Sequence, residues 1–197
     1  MRRRHYSTIA FAPLLAGSTT CIADPSDPHE ELGRASYLFD RANRPLPAEP
    51  LIRKAIDACT RVNDQACIAD GWLVDGFFFR SRSVGGQEKL YRKYGFLDKT
   101  ASFDDRYDKS IEYFEKAADA YSVQQRFDRA SNAYLNTGFT FAIEGRRTDA
   151  CAAFEKSLDS YKQNIKLHRD AKPDVPQGFG NFEEFLSSER QRIGCPV

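Results

Sequence analysis

The stretch AYLNTGFTFAIEGRRTDACAAFEKSL, residues 133–158, decides the fold, because it contains two amphipathic segments joined by a turn. In the first segment the small residue Gly138 lies between two aromatic residues, Tyr134 and Phe141, each about one helical turn away. Gly145 follows, and glycine readily takes the positive φ that ends a helix. The second segment continues an apolar stripe at helical spacing: Ala150, Ala153, Phe154 and Leu158. The stretch therefore predicts a helical hairpin.

A second part of the chain has the same order of residues. Trp72, Gly76 and Phe79 repeat the large, small and aromatic spacing of the first segment. Residues 107–121 (YDKSIEYFEKAADAY) repeat the second segment, with Phe114 as the aromatic residue. This order closely resembles the tetratricopeptide repeat. The resemblance implies an all-α fold, a right-handed αα-repeat solenoid of about three helical hairpins with a C-terminal capping helix.

The chain departs from that family's pattern in two places. Asp75 stands where the family usually has leucine, and the aromatic landmarks Phe114 and Phe154 are 40 residues apart, longer than the repeat of about 34 residues. A pair of cysteines, Cys59 and Cys67, flanks a turn before Trp72. This pair gives a secondary resemblance to the disulfide-bridged Sel1-like repeats.

Helices are also predicted at both ends of the repeat region. The first begins near Asp27 with Pro28 in its first turn, and a second helix follows Pro50, so that the two form an eroded first repeat. A last helix begins beyond Asn181, whose side chain can cap the free amides, and it stops at Gly194. Such a closing helix would cover the apolar end of the stacked repeats.

Residues 81–106 form an insertion that is far longer than the turn of a helical hairpin. A short helix is expected within it, over residues 87–94. Two interpretations stay open: a lid that binds a partner, or a loop whose aromatic residues cover the edge of the solenoid. Under the first interpretation, the contact residues are Tyr91, Arg92, Tyr94 and Phe96.

Residues 1–23 have the pattern of an export signal. Three arginines at residues 2–4 precede an apolar run at residues 9–15, and Cys21-Ile22-Ala23 fits small-x-small cleavage. The alternative is a lipid anchor at Cys21, although Ser18-Thr19-Thr20 separate Leu15-Ala16-Gly17 from that cysteine. We expect a periplasmic or secreted protein whose residues 24–197 form the repeat domain and carry no integral membrane segment.

Charge and cysteine content change when the signal is removed. The chain has 29 Lys and Arg against 28 Asp and Glu, and loss of three arginines leaves 26 against 28. A slightly acidic protein has no basic footprint for nucleic acid. Four cysteines then remain, an even number that suits disulfides in an oxidising compartment. Of three possible connectivities we favour Cys59 with Cys67 and Cys151 with Cys195.

The sequence offers little catalytic chemistry. Only His29 and His168 remain after signal removal, at no metal-ligand spacing, and there is no phosphate loop or nucleophile elbow. We therefore expect no cofactor, no metal and no enzymatic activity.

The resemblance implies that the inner helices line a concave groove. The residues expected there are Arg34, Tyr37, Leu73, Phe77, Arg80, Asn132, Leu135 and Phe139. Apolar walls with two guanidinium groups suit a peptide of some acidic character, although Phe77 and Phe139 could instead be core residues. Leucines at 73 and 135 replace the Lys and Asn with which some members clamp a peptide C-terminus. We expect an adaptor that holds a peptide or protein; the alternative is an immunity or inhibitor protein that blocks a secreted toxin or enzyme.

Overall fold

The structure is a computed structural model that describes residues 27–169 and 175–196. Within these ranges the chain is helical and has no strand, which confirms the all-α prediction. The predicted export signal, residues 1–23 with Cys21, lies outside them. The helices are α1 (Pro28–Asp40), α2 (Pro45–Arg61), α3 (Gln65–Arg80), α4 (Arg82–Gly85), α5 (Glu88–Tyr94), α6 (Arg106–Val123), α7 (Phe127–Ile143), α8 (Arg147–Leu167) and α9 (Phe182–Ile193).

Six of these helices pack as three pairs: α1 with α2, α3 with α6, and α7 with α8. Each pair contacts the next, through α2 and α3 and then through α6 and α7, while α9 packs against α8. Three helical hairpins and a closing helix are therefore present, as the repeat pattern predicts. The right-handed sense of the stack stays a prediction.

The two repeats recognised in the sequence share one close contact. Gly76 of α3 lies directly against the ring of Phe114 in α6, and Gly138 of α7 lies directly against the ring of Phe154 in α8. A Cβ atom at either glycine would collide with the facing ring. The small residue is thus required by the approach of the second helix, and both phenylalanines are completely buried.

The first hairpin begins as predicted, but its second helix starts earlier than expected. The Asp27 carboxylate accepts a hydrogen bond from the His29 amide at 2.9 Å and caps α1. α2 starts at Pro45, not after Pro50. Pro45 and Pro47 lie in the first turn, where no amide hydrogen is needed, and Pro50 removes a single intrahelical bond.

The other predicted helix ends are confirmed. Gly145 has φ +73° at the end of α7, and Gly194 has φ +76° after α9. The Asn181 side chain accepts a hydrogen bond from the Glu184 amide at 2.8 Å at the start of α9. The buried residues of α9 pack in one cluster with Phe154: Phe182, Phe185 and Leu186. The last helix therefore covers the end of the third hairpin.

The insertion is folded onto the first two hairpins. α5 lies at the position where a short helix is predicted. Tyr91 and Phe96 are 2% and 1% exposed, and their rings stack 4.2 Å apart. Phe96 also contacts Phe78 and Phe79 of α3, with ring centroids 6.2 Å and 4.9 Å apart. These aromatic residues cover the helices. Tyr91 and Phe96 therefore belong to the core, and they are not accessible to a partner as the lid interpretation expects.

The four cysteines in the part of the chain that the structure describes lie in two pairs at disulfide distance, with the predicted connectivity. Cys59 lies beside Cys67, with Cα atoms 5.8 Å apart, and connects the ends of α2 and α3. Cys151 lies beside Cys195, with Cα atoms 5.6 Å apart. The second pair fastens the segment after α9 to α8, as the sequence predicts.

Candidate functional site

A cavity of about 860 Å³ opens between α1, the C-terminal end of α3 and the start of α4. We call it the α1/α3 cavity. It contains three of the residues predicted to line a groove, Tyr37, Phe77 and Arg80, together with charged residues that the prediction lacks: Asp40, Arg41 and Arg82. Side chains from one repeat and the next therefore meet at a single concave surface.

The two aromatic walls of the α1/α3 cavity differ in exposure. Tyr37, near the end of α1, is 63% exposed, and its side chain makes none of the hydrogen bonds found among the described residues. Phe77 on α3 is half-buried and packs edge-on against Phe114, with ring centroids 5.0 Å apart. Phe77 therefore gives a fixed wall, and Tyr37 gives an exposed one that a ligand could cover.

Arg80 forms the polar side of the cavity. Its Nη1 donates to the Asn136 carbonyl at 3.0 Å and to the Thr140 hydroxyl at 3.2 Å, and its Nη2 donates to the Asn136 side-chain oxygen at 2.6 Å. The guanidinium also lies over the ring of Phe77, 5.4 Å from its centroid. Burial lowers the pKa of Arg80 to about 10, so the side chain keeps its positive charge at neutral pH.

Two more arginines stand at the rim of the cavity. Arg41 pairs with Asp40 at 2.9 Å, and both side chains are largely exposed. Arg82, at the start of α4, is exposed. The lining of the cavity therefore contains three guanidinium groups and one carboxylate, which gives it a positive net charge. Residues 24–197 as a whole carry 26 basic and 28 acidic residues.

The remaining predicted groove residues do not share this surface. Arg34 and Asn132 are exposed on α1 and α7. Leu73 is 9% exposed and packs in the core cluster around Phe114. Leu135 and Phe139 pack in the cluster of α8 and α9. These five predicted positions thus contribute packing or lie apart from the α1/α3 cavity.

Asn136 contacts the candidate site, although the repeat resemblance does not indicate it. Besides holding Arg80, its side-chain amide donates to the Asn132 side-chain oxygen at 2.7 Å. An asparagine in the middle of a helix, where its propensity is poor, was the sequence signal for a special role. Asn132, Asn136 and Arg80 therefore form a chain of hydrogen bonds from α7 to the cavity.

Two of the predicted loop contacts, Arg92 and Tyr94, lie on the surface, and Arg92 already forms ion pairs within the chain. Arg92 pairs with Asp104 at 2.6 Å and with Glu88 at 2.7 Å. The hydrogen bonds that Arg92 donates to Asp104 and Glu88 raise its pKa. Tyr94 is 67% exposed, so a partner could reach its side chain.

A second polar cluster lies between α2, α3, α6 and the insertion. Asp75 is completely buried and pairs with Arg53 of α2. Arg53 also donates to the Tyr113 hydroxyl at 3.2 Å, and that hydroxyl donates to Asp98 at 2.7 Å. Burial raises the pKa of Tyr113 to about 12. Asp98 lies in the insertion, so its bond to Tyr113 ties the insertion to α6. Two buried atoms of the cluster, Asp75 Oδ1 and Arg53 Nε, have no hydrogen bond among the described residues.

Among the described residues, no group of three or more His, Cys, Asp or Glu side chains is placed to hold a metal ion. None of the helices in residues 27–169 and 175–196 is long and apolar enough to cross a membrane. Comparisons with protein-family models, curated proteins and solved structures find no match.

Proposed function

We propose that this chain is an exported, non-enzymatic scaffold that binds a peptide segment of a partner protein in the α1/α3 cavity. The observation that carries the proposal is the composition of that cavity, where Tyr37, Phe77 and Arg80 line one concave surface. Tyrosine and arginine are the residue types that most often dominate binding energy at protein interfaces. Its volume of about 860 Å³ is in the range of sites that enclose a few side chains.

The architecture supports the same function. Stacked helical hairpins expose extended surfaces that are lined by consecutive helices, and such surfaces commonly bind peptides. The α1/α3 cavity is framed by secondary structure that core contacts hold in place, because Phe77 packs on Phe114 and Arg80 is bonded to α7. A preorganised surface loses less conformational entropy when it binds a ligand.

Export is part of the proposal. The two cysteine pairs favour an oxidising compartment, since disulfides persist outside the cytosol. We therefore place the proposed binding function in the periplasm or outside the cell. Inhibition of a secreted toxin or enzyme stays a prediction from the sequence, without a contact in the described residues that favours it.

Selection of peptides from a displayed library tests the binding function. Tyr37→Ala removes an exposed cavity wall that makes no hydrogen bond, so the fold should be unaffected. We expect the affinity of selected peptides, measured by fluorescence anisotropy, to fall about tenfold or more. Tyr94→Ala is the matched control, because Tyr94 is 67% exposed, close to the 63% of Tyr37.

The control variant should bind the peptides as the unchanged protein does. Loss of affinity in Tyr94→Ala but not in Tyr37→Ala would move the binding site to the insertion. Selection of no peptide at all would contradict a peptide-binding function.

A further inference from the structure

We propose that the peptide bound in the α1/α3 cavity presents an aspartate or glutamate side chain to Arg80. This inference rests on the proposed function and specifies the chemistry of the partner. It starts from one unusual feature of Arg80, a half-buried charge that has only neutral partners.

Within residues 27–169 and 175–196, Arg80 forms no ion pair with Asp or Glu, and its three hydrogen bonds go to a carbonyl, an amide oxygen and a hydroxyl. A guanidinium has five N–H groups, so two of them have no partner in the described chain. A charge that is withdrawn from water without a counterion is costly. A carboxylate from a partner would supply the missing counterion.

The guanidinium is already held in position for such a carboxylate. Asn136 accepts two of its hydrogen bonds, and the rings of Phe77 and Phe114 lie 5.4 Å and 5.1 Å from its central carbon. The planar fork of arginine matches a carboxylate best when it is fixed in this way. Little side-chain entropy remains to be lost on binding.

The charges at the rim of the cavity also favour an acidic peptide. Arg41 and Arg82 add two guanidinium groups, and the one acidic residue of the lining, Asp40, is paired with Arg41. A basic partner would meet like charges there, which disfavours binding. Because Tyr37 is exposed beside the guanidinium groups, we expect an aromatic or aliphatic residue of the peptide next to its acidic residue.

The experiment uses peptides displayed with their C-termini joined to a carrier protein, so that no free C-terminal carboxylate is available. Selection on the unchanged protein should enrich Asp or Glu at one position, beside an apolar residue. The selected peptide is then synthesised with an amidated C-terminus. Replacing its Asp by Asn, or its Glu by Gln, should weaken binding about tenfold or more. On Arg80→Gln the acidic and amide peptides should bind equally.

Arg82→Gln provides a second variant, because Arg82 is exposed and its side chain makes no hydrogen bond or ion pair among the described residues. It should reduce the affinity for the acidic peptide by a few fold, with a weaker salt dependence, and leave the melting temperature unchanged. This variant and the amide peptide keep the test decisive even if Arg80→Gln fails to fold.

The outcomes separate the two proposals. Peptides that bind in a Tyr37-dependent manner with equal affinity for acid and amide would overturn the carboxylate inference and leave the binding function intact. If peptides are selected only from a second library that displays free C-termini, the assignment to a side chain is overturned. If neither library yields a peptide, the proposed function fails and this inference fails with it.

Discussion

The hairpin of α3 and α6 and the hairpin of α7 and α8 are built around the same contact and connected in different ways. In both, a glycine of the first helix lies against a buried phenylalanine of the second. Residues 81–105 connect the helices of one hairpin, whereas a turn of three residues, 144–146, connects the other. The same contact between a glycine and a phenylalanine therefore forms whether the two helices are connected by 25 residues or by three.

The two hairpins also differ in their buried polar groups. The α7 and α8 pair is joined by neutral contacts, such as the Ser131 hydroxyl bonded to the Ser157 carbonyl at 2.9 Å. The α3 and α6 pair contains the buried charge of Asp75, which Arg53 balances. Arg80 occupies the position that Ala142 holds in the other repeat. Charged chemistry is therefore concentrated in the repeat that carries the insertion and the α1/α3 cavity.

The largest effect should come from removing the shared phenylalanines. Phe114→Ala and Phe154→Ala each leave a large cavity at a completely buried site, and each should lower the free energy of unfolding by about 3–5 kcal/mol. Urea denaturation followed by circular dichroism measures both. A loss in one hairpin that is several times smaller than in the other would break the equivalence of the two contacts.

Removal of each disulfide should lower the free energy of unfolding, and by different amounts for the two bridges. The Cys151–Cys195 pair spans 44 residues and the Cys59–Cys67 pair spans 8. Loop-closure entropy then predicts losses of about 4 kcal/mol and about 2.5 kcal/mol in the free energy of unfolding. Paired Cys→Ala variants, melted beside the oxidised protein, measure the two losses. The opposite order would show that chain entropy does not govern these bridges.

Substitution of the glycines should change the free energy of unfolding by a smaller amount, and the sign should depend on whether the facing phenylalanine ring is present. Gly138→Ala places a Cβ atom against the Phe154 ring and should destabilise the protein by about 1–3 kcal/mol. In a Phe154→Ala background the collision is absent, and alanine should stabilise α7 by about 1 kcal/mol through its helix propensity. The same cycle at Gly76 and Phe114 is the matched control. A loss at Gly138 in both backgrounds would contradict the role assigned to the ring.

Low pH should destabilise mainly the hairpin of α3 and α6, which carries the insertion. Burial raises the pKa of Asp98, but hydrogen bonds from Thr100 and Tyr113 outweigh it and leave the pKa below 3.8. A carboxyl group of this kind stabilises the fold above its unfolded pKa, and the contribution is lost as pH falls through the folded pKa. Asp98→Asn should therefore flatten the decline of the denaturation midpoint between about pH 5 and about pH 2.

Glu49 provides a control of opposite sign. It accepts a hydrogen bond from the Leu97 amide at 2.6 Å, and burial raises its pKa above 4.5. Its contribution is fully present below the unfolded pKa and is lost as pH rises through the folded pKa. Glu49→Gln should make the decline on the acid side steeper. The same change of slope in both variants would contradict these assignments.

The sequence was sufficient for features that depend on local spacing. The glycine and phenylalanine positions of both repeats, the capped last helix and the cysteine pairs all follow from residues close in sequence or from a recurring pattern. The start of α2 at Pro45 did not follow, because proline usually indicates a boundary. The folding of Tyr91 and Phe96 into the core also depends on contacts with α3, which spacing does not encode.

The candidate site was predicted in part for the same reason. Tyr37, Phe77 and Arg80 follow from the repeat positions of the inner helices, and they meet at the α1/α3 cavity. Arg82 belongs to the insertion, and the bonds between Asn136 and Arg80 join residues 56 positions apart. Such contacts arise only when the third hairpin packs on the second.

The most direct test of the binding function is a nuclear magnetic resonance titration of the isotope-labelled protein with a selected acidic peptide. We expect the largest shift changes at Tyr37, Phe77, Arg80 and Arg82, with small changes in α9. Large changes at Tyr94 and Leu97, without changes at the α1/α3 cavity, would contradict the location of the site.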